Sequence, residues 1–185
     1  SLSGSTNECN GTNSGSITLS GNTGSVTKWQ LSTDGGISFA DISNTTSSQS
    51  YTNLTQTTIY RAVIKSGTCA ATNSGTATVT VDPTSVGGSI AGSTTVCSGS
   101  NSGSVTLSGH TGNITKWQQS TDGGVTFADI VNTSTTQNYN NITQTTIYRA
   151  VVKSGTCVSA NSTTATVTVD AISVGVVLSA STTVC

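Results

Sequence analysis

Charge is what this chain largely does without. Only 7% of its 185 residues are Asp, Glu, Lys or Arg, against about 25% in an average soluble domain. Six Lys and Arg cannot build the clustered positive surface that phosphate backbones require, so nucleic acid is excluded as a partner. Methionine is missing, Pro83 is the only proline, His110 is the only histidine, and aromatics make up 4%. One imidazole and scattered aspartates cannot assemble a Ser-His-Asp set. No CxxC spacing occurs, which removes the commonest zinc frameworks. Calcium sites want closely spaced carboxylates, whereas Asp34, Asp41 and Asp82 stand singly; Asp82 and Asp170 could share an ion between modules only with further ligands. No apolar run approaches the roughly 20 residues of a membrane helix, and no signal peptide is visible, so an exported protein would be represented here by a mature segment. The expectation is a protein with no catalytic residues, no cofactor, no metal and no membrane span.

What the chain does have is Thr, Val, Ile, Ser, Asn and Gly. Poverty in charge and large apolar groups could signal disorder, but disorder goes with high net charge and few β-branched residues, and here the net charge is -1. Stiff β-branched side chains sit well on a pleated surface. The stretch KWQLSTDGGISFADI, residues 28–42, returns 88 residues later as KWQQSTDGGVTFADI, residues 116–130. Superposed at that offset, about two positions in three are identical, the mark of tandem folding units. Residues 1–86 form a first module, 87–174 a second, and 175–185 the leading strand of a third, because VLSASTTVC copies SIAGSTTVC. That leading strand is expected to lean on the second module or on another chain. Within a module, short runs of period two alternate with Gly, Ser and Asn clusters. Residues 16–20, 26–31, 37–42, 50–54, 58–65 and 76–81 read as strands, and no stretch has a helical period. About seven short strands in under 90 residues predict an all-β fold of two tandem immunoglobulin-like sandwiches. The link, DPTSVGG at 82–88, is short enough to limit swing between neighbours.

Ser32-x-Asp34-x-Gly36-x-Ser38-Phe39 and Ser120-x-Asp122-x-Gly124-x-Thr126-Phe127 resemble the Asp-box of sialidases and related propellers, where Asp and Ser tie down a hairpin turn. A glycosidase would need paired carboxylates at a set separation, and no second acid set or arginine cluster accompanies Asp34 and Asp41. The turn reading is preferred. His110 is replaced by Asn22 in the first copy, so no role needed in every module rests on it, and an exposed loop histidine is expected. The threonines at 76, 78 and 80, with copies at 164, 166 and 168, read as the solvent face of a final strand. Seven sequons, at Asn10, Asn44, Asn53, Asn113, Asn132, Asn141 and Asn161, would matter in a glycosylating host.

The five cysteines, Cys9, Cys69, Cys97, Cys157 and Cys185, alternate gaps of 60 and 28 residues. A pair kept at the same two places in a small, thin-cored module reads as disulfide-bonded and therefore as extracellular. If the first nine residues form a full strand entering a hairpin, Cys9 and Cys69 lie at opposite ends of the module, whereas bridged cysteines need Cα atoms within about 7 Å. Pairing Cys69 with Cys97, and Cys157 with Cys185, is the rival arrangement.

Trp29 stands where the third strand of an immunoglobulin-like sandwich carries its core Trp, with Trp117 as its copy. Leu54-x5-Tyr60-x-Ala62 looks like the run leading into strand F, with Tyr60 and its copy Tyr148 at the tyrosine-corner position. Ala62 replaces the usual inter-sheet cysteine, so the cysteines here do another job. More narrowly, Val96-Cys97 with Gly99 before the strand at 104–108, then TIYRAVV at 146–152, then Gly155-Thr156-Cys157, resemble the tandem Ig-like repeats of giant secreted adhesins of Bacteroidetes, including gliding-motility adhesins. That resemblance implies a repeat of a long cell-surface or extracellular fibre, secreted and oxidised. The expected role is a spacer or packing unit among neighbouring copies, and the leading strand at 175–185 suggests strand sharing between them. It also favours bonding Cys9 to Cys69 and Cys97 to Cys157, leaving Cys185 for the third module. The alternative function is a glycan-binding module using loop differences between the copies.

Overall fold

Alternation of apolar and polar residues builds every strand of the chain. In this computed structural model, which describes residues 1–175, the first module runs β1 (Leu2–Ser3), β2 (Thr6–Cys9), β3 (Ser14–Leu19), β4 (Ser25–Ser32), β5 (Ala40–Ile42), β6 (Ser48–Thr52), β7 (Thr58–Lys65), β8 (Thr72–Asn73) and β9 (Ala77–Asp82). The second repeats the series as β10 (Ser89–Ala91), β11 (Thr94–Cys97), β12 (Ser102–Ser108), β13 (Asn113–Ser120), β14 (Ala128–Ile130), β15 (Thr136–Asn140), β16 (Thr146–Lys153), β17 (Ala160–Asn161) and β18 (Ala165–Asp170). The leading strand of a third module expected at 175–185 lies outside the described residues, apart from Gly175.

Each module is two facing sheets. One has the order β1-β3-β6; the other has β2-β9-β7-β4-β5, with β8 also on β7, and the second module repeats both. The first strand expected over residues 1–9 is therefore split between the sheets. Leu2 and Ser3 pair antiparallel with Leu19 and Thr18, and Thr6 to Cys9 pair parallel with Val79 to Asp82. Gly4 makes the crossing at φ 105°, at a place where a Cβ would run into the Ser16 carbonyl. That backbone conformation is one only glycine adopts freely.

The inner faces meet over separate but equivalent cores. In the first, Trp29, Ile17, Ala62 and Val79 are fully buried with Tyr60, Leu19 and Tyr51 around them; in the second, Trp117, Val105, Ala150 and Val167 take those places with Tyr148, Leu107 and Tyr139. Trp29 lies opposite Ala62 in register. Its indole N–H donates to the Thr46 carbonyl at 2.9 Å, and Trp117 does the same to Ser134. The small Ala62 makes room for the large indole, which explains how the core closes without a central disulfide. Tyr60 stacks on Tyr51 at 6.3 Å, and Tyr148 on Tyr139 at the same distance.

The strand expected at 37–42 is shorter, starting at Ala40. Ile37 is 88% exposed, and its copy Val125 is 82% exposed. The aspartate turn described below holds this segment out of the sheet.

Candidate functional site

The turn after β4 is built by short polar side chains reaching for the backbone. Ser32 donates from Oγ to the Asp34 carboxylate at 2.7 Å and accepts the Gly36 N–H at 2.9 Å. Asp34 accepts the Ser38 N–H at 3.0 Å and the Ser38 hydroxyl. Ser120, Asp122, Gly124 and Thr126 repeat the arrangement. The hydroxyl and N–H of Ser38 stabilise the ionised carboxylate and hold Asp34 far below its ordinary value of 3.8; Thr126 does so for Asp122. Every bond of these carboxylates stays within the turn, so the geometry gives them a scaffolding task. A carboxyl whose pKa is lowered on folding adds stability above its unfolded value and loses it as pH falls through the folded one. Thermal unfolding followed from pH 7 to pH 2 is expected to drop in Tm below about pH 4. The double substitution Asp34→Asn, Asp122→Asn should flatten most of that slope. Asp41 and Asp129, lowered by Gln30 and Lys28 and by Gln118 and Lys116 respectively, account for the remainder.

Beside the turn, the Arg61 guanidinium lies 3.6 Å over the Phe39 ring and donates to Gln30 at 2.7 Å. Gln30 and Lys28 both donate to Asp41. The second module copies the chain as Arg149, Phe127, Gln118, Lys116 and Asp129. This ribbon pairs four of the six basic residues with acids or amides on the outer face of the larger sheet. A neighbouring surface hollow of about 210 Å³ between β13 and the 141–146 loop is lined by Gln119, Thr121, Asn141 and Gln144 among others. Its polar groups are amides and hydroxyls, without carboxylate, imidazole or thiol.

The most elaborate constellation lies at the joint between the modules. Cys9 ends β2 at the far pole of the first module, beside Asp82 at the end of β9. Asn13 holds it there: its amide donates to the Cys9 carbonyl at 2.7 Å and the Leu54 carbonyl at 2.8 Å, and its oxygen accepts the Leu54 N–H. From the second module, the turn Ser154-Gly155-Thr156-Cys157 projects into this pole. Cys9 and Cys157 are disulfide-bonded, with Cα atoms 4.8 Å apart. The Asp82 carboxylate accepts the Thr156 N–H at 3.0 Å and its hydroxyl at 3.3 Å. Buried Ser85 accepts the Ser154 N–H at 2.9 Å through Oγ. Val86 and Thr111 exchange backbone bonds at 3.2 and 3.0 Å, and Gly88 accepts from Thr163.

Both pairings weighed from the sequence are corrected here. Cys9 and Cys69 sit at opposite poles of one module, so they do not bond. Cys69 and Cys97 lie at the two outer ends of the pair, farther apart still; both are exposed and without a disulfide partner among the described residues. Cys157 bonds Cys9, not Cys97 or Cys185, and Cys185 lies outside the described residues. His110, expected to be an exposed loop residue, is half-buried in the joint loop, and its Nδ1 is buried without a hydrogen-bond partner among the described residues. Asn13, Ser85 and Ser154 were not singled out from the sequence. Their only signal is identity with Asn101, Ser173 and Ser66 across the repeat, which the common Ser and Asn background hides.

Gly87 is the closest approach in this joint: a Cβ on it would overlap the carbonyl of Asn161. Gly87→Val is expected to force the modules apart while leaving each core intact. Small-angle scattering should then show a larger radius of gyration, with two unfolding transitions still present.

No curated protein matches the chain. Among solved structures, a marsupial T cell receptor superposes with a TM-score of 0.55 at 14% identity, covering 91% of this chain and 72% of that one. Domains A168–A170 of titin superpose with a TM-score of 0.51 at 15% identity, covering 90% of this chain and 62% of theirs, so this chain spans less than two thirds of that fragment. These likenesses establish the immunoglobulin-like sandwich for both modules. The model of the family described as "Domain of unknown function (DUF8696)" matches twice, at residues 1–83 and 86–171. The two matches meet at the joint, and the chain belongs to that family, carrying two copies of its domain.

Proposed function

We propose that the chain is a non-catalytic structural segment of an extracellular adhesin or surface fibre, a spacer whose modules are fixed end to end. The observation that carries this reading is the joint: a disulfide, a carboxylate anchoring a turn and a buried hydroxyl all fasten one module to the next. A flexible bead-string would need none of them. A disulfide also calls for an oxidising compartment, which supports a secreted or cell-surface location. Low charge, dense Ser and Thr, and tightly tied turns suit a solvated stalk, and neighbouring copies of the repeat are the partners such a stalk requires.

The test is shape in solution. Under oxidising conditions the two-module chain should scatter as one rigid rod, and reduction should broaden the distance distribution without unfolding either module at room temperature. A chain equally flexible in both states would refute the spacer reading. Reproducible micromolar hits on a glycan array, lost on mutation of the loops that differ between copies, would replace it with glycan binding.

A further inference from the structure

Each half of the joint exists twice in the chain, and among the described residues only one of each is occupied. The socket is Cys9 with Asp82, and its copy is Cys97 with Asp170, paired side by side in the same parallel register at the far pole of the second module. Asn101 holds Cys97 as Asn13 holds Cys9, donating to its carbonyl at 2.7 Å. The plug is Ser154-Gly155-Thr156-Cys157, and its copy is Ser66-Gly67-Thr68-Cys69 at the outer pole of the first module. Inside the joint, Ser154, Ser85 and Cys157 are buried, while their copies Ser66, Ser173 and Cys69 are exposed. Gly155 packs against the Asp82 carboxylate and Gly87 against Asn161, whereas Gly67 and Gly175 meet none of the described residues. Among the described residues, the same positions are thus engaged in one copy and bare in the other.

We propose that the bare plug and socket are interaction sites for further copies of this repeat, and that each cysteine of a repeat bonds across a joint. The leading cysteine of one module would join the Gly-Thr-Cys cysteine of the next, 148 residues on, as Cys9 joins Cys157. Cys97 and Asp170 then receive a following copy, and Cys69 enters a preceding one. Bond formation removes two protons and two electrons from the paired thiols. A disulfide oxidant, protein-borne or glutathione disulfide, takes them up and leaves as two thiols. The copies differ at Pro83, Thr84 and Gly88, where Ala171, Ile172 and Val176 stand. Gly88 adopts φ 75° with no room for a Cβ beside the Ser108 carbonyl, so the link into a following copy departs from this joint there, and what carries over is the Cys97–Asp170 pairing.

The test extends the full chain by a second copy of residues 98–174 placed after Cys185, giving three complete modules. After oxidation in glutathione buffer and alkylation, a non-reducing peptide map is expected to join Cys97 to the added counterpart of Cys157, with Cys9–Cys157 retained. Recovery of Cys97 alkylated, or bonded elsewhere, overturns the proposal. The Cys9–Cys157 bond is read in the same map, so failure of the spacer reading is seen separately. Asp170→Asn should slow formation of the new bond severalfold without affecting Cys9–Cys157, and an unchanged rate removes Asp170 from the socket. Should the extended chain misfold, native alkylation of the 185-residue chain still decides. Cys69 and Cys97 must react before reduction or be recovered joined to each other between chains, and Cys9 and Cys157 must react only after it; Cys69 or Cys97 bonded within its own chain contradicts the proposal.

Discussion

Trp29→Ala is expected to unfold the first module and leave the second standing. Removing a fully buried indole costs about 3–5 kcal/mol through lost burial and the cavity left behind. Here the side chain is also the largest body in a core otherwise made of Ile, Leu, Val, Ala and two tyrosines. Total stabilities run to only about 5–15 kcal/mol, so the loss consumes a large share. The Thr46 carbonyl loses its donor as well. Calorimetry should show two transitions in the native chain and a single surviving one in the variant. Trp117→Ala should give the mirror result. Trp29→Phe keeps most of the apolar bulk and forfeits the hydrogen bond, worth about 1 kcal/mol. Simultaneous loss of both transitions in Trp29→Ala would show that the cores are not independent.

Reducing Cys9–Cys157, or substituting Cys157→Ser, is expected to lower the Tm of both modules together. The bond closes a ring through the joint, so an unfolded first module remains a loop pinned at Cys9 and Asp82, and an unfolded second module one pinned between the link and Cys157. Such closure restricts the unfolded chain, and its removal costs roughly 2–4 kcal/mol. For domains of this size that corresponds to a fall of about 10–25 °C in Tm. A drop confined to one module would mean that the bond belongs to that module alone. Comparison of the native chain with and without reductant, followed by circular dichroism, suffices to measure it.

The repeat, the strands and the aspartate turns could be read from residues because each is local. Trp29 and Ala62 occupy alternating strand positions, and Ser32, Asp34 and Gly36 sit within one turn. The cysteine pairing was not legible for two reasons. An 88-residue repeat that keeps both cysteines at the same two places makes the partner in the same module and the partner in the next one chemically identical, so spacing alone cannot choose. Which pole a cysteine occupies depends on Gly4 throwing the first strand across to the other sheet, a long-range pairing with no local pattern. Ile37 shows the opposite failure: its apolar character suggested a strand, but the bonds from Asp34 to Ser38 outweigh that preference and leave it in solvent. The joint escaped because its working groups are Ser, Asn and Gly, the commonest residues of the chain.

The bridge from Cys9 to Cys157 has a mechanical corollary. Tension applied at the two extremities travels along the first nine residues, crosses the sulfurs and leaves through β18. Everything between the two cysteines hangs off that path without being stretched. With 148 positions separating them, roughly 500 Å of potential contour is kept out of play, and a tether made this way stays short under pull until a covalent bond breaks.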